Sequence, residues 1–510
     1  MSVKMVDKII FWLNANMLYF GLAAKLQKKY DCKLYAVIDI TNRTKKFFEE
    51  QNIVNFQKTW FLHDHIQKNK KVDIDYLKNF EKNYHINLWQ LAINERIFYQ
   101  YNDFHEFSHD EILSILEKEC KLYESILDQT QPDFLITSET ALHQQHLFYE
   151  ICRQRGIKIL ILYKSKISNK CIISQKFQTI DSMPALSKIP SKKRSFDELL
   201  NILKSTNATK PGTTAVIQGV DNFGGSKLSK LKAASEYFLK SDNSNIKTHY
   251  SYYGRHKSKV LTDYISKSLK AKIRKSFIDK NLEYEIHDNE KFVLFTLHQE
   301  PEKTLLIEAP FYTNQLEIIR HIAKSLPVEY RLYVKEHFAQ VLREWRKISY
   351  YREILKIPNV RLYHPSSNLE QLIQNSSLVI SIAGSVALEA VFFQKPSIML
   401  ADMGFLVLPS IQKLTSLEEL PAIIRKGLDM KVNSDDLDRY VTILDENSFD
   451  FDLPSYLTKE ANFFRFDGNF HDTIITDRKM KSFLDQNDSI FTILTDNYIS
   501  KLEKLKQNKI

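Results

Sequence analysis

Lys335-Glu336-His337 sets a cation, a carboxylate and an imidazole on consecutive positions directly after the apolar run Arg331–Val334. At a strand's carboxyl end, Lys335 could balance phosphate charge, and His337 could donate a hydrogen bond to a leaving phosphate or its bridging oxygen. Leu378 to Met399 carries a second pattern: an apolar strand, the turn Ala383-Gly384-Ser385, a helix and another apolar strand. Amides at such a helix start, with the positive dipole end, would point past Ser381, Gly384 and Ser385 toward an anion. Glu389 lies four residues beyond Ser385 on the same helix face, within reach of a ribose hydroxyl. Leu297 to Glu302 forms a third polar strand end and contributes His298 and Glu300. Each pattern also has a plainer reading, as a solvated loop, a glycine turn with a serine cap, or an ordinary helix carboxylate.

In the first half, Glu139 follows the strand-like run Asp133–Thr137 and precedes a helix carrying His143 and His146. A carboxylate there could remove a proton from an acceptor hydroxyl or stabilise positive charge on a donor sugar; it could equally cap the helix. His143 is assigned to the acceptor cleft. His63, beside Asp64 on a loop after a strand-like run, is assigned to the same cleft. No His/Cys/Asp/Glu spacing marks a metal site, and no cofactor is expected beyond a nucleotide-linked substrate. Asn222-Phe223-Gly224-Gly225 does not complete a phosphate loop, and His364 could line the same cleft as His337 or fill a turn that Pro365 fixes, the turn being favoured.

These loops need parallel strands to hold them. Strand and helix patterns alternate from Lys8 to Leu162 and again from Lys291 to Met399, which predicts α/β architecture with two Rossmann-like doubly wound domains facing a cleft. The predicted boundaries are 1–186 for the acceptor domain and 187–289 for a polar, basic helical insertion or linker. Residues 290–434 form the nucleotide-binding domain, and 435–510 an extension returning to the first domain. The 510 residues are 43% hydrophobic and 12% aromatic, enough for two packed cores.

Lys and Arg total 72 against 62 acidic residues, a net charge of +10. Much of the excess lies in 251–280, with nine basic residues and two acidic ones. Leu261, Ile265, Leu269, Ile273 and Phe277 recur there every four residues, an amphipathic helix that could rest on anionic headgroups or pack as a linker. The basic residues have no interleaved aromatic platforms, so nucleic acid is not an expected partner. No run spans a membrane and no cleavable leader is recognised, which leads to the expectation of a cytoplasmic protein, in peripheral contact with the inner membrane through 255–280. Cys32, Cys120, Cys152 and Cys171 lie far apart and are expected to be reduced.

Three blocks in order carry a family resemblance: LHQEPEKTLLIEAPFYTNQLEIIRHIAKSLP, then LYVKEH, then SLVISIAGSVALEAVFFQKPSIML. Over about residues 290 to 410 the chain resembles bacterial and archaeal capsular polysaccharide biosynthesis proteins, which are similar to two-domain GT-B glycosyltransferases. Phe338 stands where those relatives usually carry Pro after the Lys-Glu-His block. The resemblance implies a class, transfer of a sugar from a nucleotide-activated donor to a polysaccharide or lipid-linked glycan, and not a substrate; the donor could be CMP- or UDP-linked. No DxD-type motif stands at a convincing strand end, so no required metal is expected. Polyol-phosphate transfer, sugar-nucleotide epimerisation and a non-catalytic scaffold role are the alternatives.

Overall fold

The computed structural model describes residues 6–40, 42–66, 71–205, 249–343, 345–464 and 474–507, together with 235 and 239. The Asn222–Gly225 turn lies outside them. Two sheets organise the chain. The first contains β1 (Asp7–Leu13), β2 (Cys32–Ile38), β3 (Phe56–Phe61), β4 (Phe134–Ser138), β5 (Lys158–Lys164) and β6 (Lys170–Ser174). The second contains β7 (Phe292–Thr296), β8 (Arg331–Lys335), β9 (Val360–Tyr363), β10 (Leu378–Ser381), β11 (Ser397–Met399) and β12 (Ile411–Lys413). A last strand, β13 (Phe449–Asp450), returns to the first sheet.

The second sheet runs β12-β11-β10-β7-β8-β9, every pair parallel, the doubly wound order with its reversal between β7 and β10. The first runs β13-β6-β5-β4-β1-β2-β3, parallel from β5 to β3, with β6 and β13 added antiparallel at one edge. Its reversal lies between β1 and β4. Both are Rossmann-like, as the alternation of patterns predicts.

Burial on both faces explains the composition of the strands. Residues 292–295 and 378–381 are buried without exception, as helices on each side of a parallel sheet require. Helix Gln315–Ser325 buries Ile318, Ile319 and Ile322 against the second sheet, and Asn314 caps it by accepting from the Glu317 amide.

The described parts of segment 187–289 contribute to both lobes. Helix Phe196–Ser205 places Leu199 and Leu203 in the second lobe's core, whereas Tyr250 and Tyr253 are buried in the first. After helix Ser434–Glu446, which packs on the second lobe through Leu437 and Val441, the chain crosses over. Helices Leu453–Phe464, Asp477–Gln486 and Asp488–Gln507 then cover the first sheet.

The lobes touch directly. Tyr163, Ile167 and Ile172 from the first share one core with Met403 and Phe405 from the second. At Gly404 any side chain would run into the backbone carbonyl of Gln178, so the lobes approach there at backbone distance.

After β8 the chain makes a tight turn, Phe338–Arg343, and then helix Ile348–Leu355. Trp345 between them has a left-handed backbone with φ of 60°, which turns Arg346 inward.

Candidate functional site

Open α/β sheets bind ligands beyond their strands' carboxyl ends, where the strand order reverses. In the second lobe that point brings His298, just past β7, against the Ser381–Ser385 turn after β10. The Ala383 amide donates to His298 Nε2 at 3.2 Å, and the Gly384 amide to Ser381 Oγ at 2.9 Å. A side chain at Gly384 would meet Ser381 Oγ at 2.8 Å and His298 Nε2 at 3.3 Å. Burial, with His337 and Arg346 nearby, holds the His298 imidazole down to about 3, so it is neutral and its Nε2 can accept. The Ala383 and Gly384 amides are therefore occupied by the protein's own side chains. This corrects the expectation that the turn leaves them free for an anion.

Ser385 starts the seven-residue helix Val386–Phe392 and donates from Oγ to Glu389 Oε1 at 2.8 Å. Burial raises the Glu389 carboxyl, while Ser385 and Lys166 oppose the shift. Glu389 thus feels the charge of Lys166 in the first lobe.

Lys335 and Glu336 correct the expectation differently, because neither presents its charge to the crevice. Lys335 is buried and donates to the carbonyl of Pro365 at 2.8 Å and more weakly to that of Glu336, with burial lowering its ammonium to about 8. Glu336 is fully buried, accepting from the His337 amide at 2.7 Å, Arg346 Nε at 2.9 Å and Tyr351 Oη at 2.8 Å. Arg346 also pairs with Glu300 at 2.6 Å and donates to the His298 carbonyl. The network ties the loops after β7 and β8 together around one guanidinium. Glu300 and Glu336 consequently act as its counter-ions.

His337 remains half-buried beside this network, stacked on Phe338 with ring centroids 4.7 Å apart. Its Nδ1 accepts the Ala339 amide at 3.2 Å, and burial lowers the ring to about 4, so the neutral imidazole carries its proton on Nε2. Phe338 thus supplies, by stacking, a support for the ring that the sequence pattern does not disclose.

The first lobe delivers Glu139 from the end of β4. Its carboxylate lies 3.1 Å from Nζ of Lys303, which belongs to the second lobe and follows the His298–Glu302 loop. Lys303 also lies 3.7 Å from Glu308, and its Nζ sits 3.3 Å from the ring centroid of Phe177 on the first lobe. Lys166, just past β5, joins the group: burial lowers its ammonium, opposed by Glu139, Glu389 and Glu302 and reinforced by Lys303. Burial also raises the Glu302 and Glu308 carboxyls. Glu139, Lys166, Lys303, Glu302, Glu308 and Glu389 form one charged cluster where the lobes meet. Beside it is a cavity of about 400 Å³, lined by Lys166, Tyr163 and Gln178 from one lobe and by Phe405, Val407 and Tyr440.

His143 does not line an open cleft. It is buried between Glu95 at 2.9 Å and Glu119 at 3.0 Å; burial opposes its charge, but the two carboxylates prevail and raise it to about 10. Tyr250 Oη donates to Glu119 at 3.1 Å, which ties segment 250–253 to this pair. His63 is likewise buried, its Nε2 2.9 Å from Asp39 and its ring 5.4 Å from that of His249. Both histidines lie inside the first lobe, which corrects their assignment to a cleft surface. His364 bonds Ser366 and caps a turn. Among the described residues, no group of three or more His, Cys, Asp or Glu is placed to hold a metal ion.

Sequence reasoning missed Lys166, Lys303 and Arg346. The charged run Glu300-Pro301-Glu302-Lys303 directly after a strand was a usable signal for Lys303. Lys166 in SKISNK carries none, because the charges that act on it, Lys303, Glu389 and Glu302, lie far along the chain.

Comparison with known proteins adds the following. None of the curated proteins matches the chain significantly. Among solved structures, the UDP-GlcNAc 2-epimerase of Methanocaldococcus jannaschii in complex with UDP-GlcNAc and UDP is 13% identical, covering 87% of this chain and 100% of its own, with a TM-score of 0.27. KpsC, the beta Kdo 2,7 transferase of Thermosulfurimonas dismutans, is 12% identical over 66% of this chain and 87% of its own, with a TM-score of 0.27. The N-terminal domain of trehalose-6-phosphate phosphatase from Candida albicans is 9% identical over 91% and 98%, with a TM-score of 0.30. Similarities at these scores carry no argument about activity. The sequence profile is more specific: over residues 225–405 the chain matches the capsule polysaccharide biosynthesis protein family.

Proposed function

We propose that the protein is a glycosyltransferase that moves a sugar from a nucleotide-activated donor, CMP- or UDP-linked, to a growing surface polysaccharide or glycolipid. The observation that carries this reading is the approach of Glu139 on the first lobe to Lys303 on the second, 3.1 Å apart, at the carboxyl ends of both sheets. The match of residues 225–405 to a capsule-synthesis family supports it independently.

In such a transfer the acceptor oxygen bonds to the anomeric carbon while the bond from that carbon to the phosphate oxygen breaks. The hydroxyl proton must leave, and negative charge collects on the nucleotide. Glu139, with 44% of its side chain exposed, takes the proton. Lys303 and Lys166 are the cations that meet the phosphate, and their desolvated setting strengthens each contact. The Nε2–H of neutral His337 is a further donor for the leaving group. Lys335 and Glu336 hold the loop that aims His337, and Ser381, Gly384 and His298 shape the floor. Donor binding would replace the Glu139–Lys303 pair with a phosphate–lysine pair and free the carboxylate for the acceptor.

Glu139→Gln tests this reading. The expected result is lost transfer with donor binding retained in calorimetry, and full transfer by the variant would remove Glu139 from the mechanism.

A further inference from the structure

Helix Lys257–Asn281 is 25 residues long, yet Ile278 is its one buried residue. Its inner side is pinned by polar contacts to both lobes: Lys267 pairs with Asp103 at 3.1 Å, and Arg274 Nη1 donates to the Trp345 carbonyl at 3.0 Å. The middle of the apolar stripe points the other way, while Phe277 at its end packs on the second lobe's core. Ile265, Leu269 and Ile273, spaced four apart, are 51%, 57% and 63% exposed, and Tyr264 beside them is 57% exposed. On an ordinary surface helix this stripe would face the core. Exposed Lys270, Lys272 and Lys280 border it.

From this geometry we infer that the helix is a docking face for an anionic lipid surface. Each feature matches that occupant. The branched side chains enter the boundary between headgroups and acyl chains, the lysines reach lipid phosphates around them, and the inner contacts hold the helix flat on the protein. A second copy of the chain fits worse, because helix-to-helix pairing would bring these lysines against their own counterparts. A nucleic acid fits worse still, because the stripe between the lysines would face phosphates. No helix among the described residues is long and apolar enough to cross a membrane, so the contact is one of lying on the surface. The inference does not depend on the reaction proposed above.

Cosedimentation of the full chain with vesicles tests it, comparing phosphatidylcholine alone with phosphatidylcholine containing phosphatidylglycerol. Wild type should bind the anionic vesicles, more weakly as salt is raised, and bind the neutral ones poorly. Ile265→Ser, Leu269→Ser and Ile273→Ser should each weaken binding by roughly tenfold. Lys270→Ala, Lys272→Ala and Lys280→Ala should each weaken it by about fivefold. All six positions are exposed, so melting temperatures should stay at the wild-type value. Failure of wild type to bind anionic vesicles at low salt overturns the inference, as does undiminished binding by the combined serine variant. A wild-type dimer that the serine variant converts to monomer, without lipid binding, overturns it in favour of a chain-to-chain contact.

Discussion

Glu139 and Lys303 belong to different lobes, yet their charged groups lie 3.1 Å apart with the Lys303 ammonium against the Phe177 ring. The pair joins the two lobes, and under the proposed function it is what an incoming phosphate would compete with. Lys303→Met should therefore weaken donor binding by about tenfold or more, the loss expected for a charged hydrogen bond in a desolvated site. Calorimetry with CMP- and UDP-sugars measures it, and unchanged affinity would place the phosphate elsewhere.

Lys166 and Lys335 make a sharper contrast, because both are lysines at strand ends, Lys335 closing β8 and Lys166 two residues past β5. Lys166 faces the interlobe cluster, whereas Lys335 is held by the Pro365 carbonyl. Lys166→Met should weaken donor binding by about tenfold and leave melting nearly unchanged. Lys335→Met should lower the melting temperature and leave affinity near wild type. The opposite ordering would return the phosphate to the Lys335 loop.

The turn after β10 has no room for another atom. Gly384→Ala would bring its Cβ to 2.8 Å from Ser381 Oγ, and the expected cost is about 1–3 kcal/mol in urea unfolding. Adding Ser381→Ala should recover part of it by removing the clashing oxygen. A Gly384→Ala protein as stable as wild type would contradict the packing described here.

Much of this arrangement was legible in the sequence, for reasons that also mark where it stopped being so. β7 and β10 are uninterrupted apolar runs, and a parallel sheet covered on both faces requires such runs, so the fold class and the loops after them could be read. β12 and β13 span three and two residues, and pairing with distant strands creates them, which no local pattern reveals. The Lys-Glu-His block was recognisable as a polar strand end. The partners of Lys335 and Glu336, however, are Pro365, Arg346 and Tyr351, ten or more residues away or across a loop. Arg346 follows the left-handed backbone of Trp345, a turn that no local residue pattern announces.

Arg346 is the most consequential of these. Arg346→Met would leave Glu336 and Glu300 without their counter-ion in a buried site, at a cost of about 3–5 kcal/mol. Chemical denaturation measures the loss, and a change within about 0.5 kcal/mol would show that the network contributes little.

His143 should make stability depend on pH. Its ring titrates near 6.5 in an unfolded chain and at about 10 in the folded one, so the stabilisation is fully present below about 6.5 and is lost as pH rises toward 10. Melting temperature should fall from pH 7 to pH 10, and more steeply than in His143→Gln, which lacks the titrating group. Equal slopes in the two proteins would mean that His143 does not hold its proton between Glu95 and Glu119.

The central claim is that Glu139 and the cluster around it transfer sugar from a nucleotide donor. The most direct measurement incubates the full chain with labelled CMP- and UDP-sugars and capsular polysaccharide, following label in the polymer together with free nucleotide. The account predicts that wild type incorporates sugar and releases nucleotide in equal amounts from one of these donors, while Glu139→Gln binds that donor and does neither. No incorporation from any of these donors, or undiminished incorporation by Glu139→Gln, would contradict it.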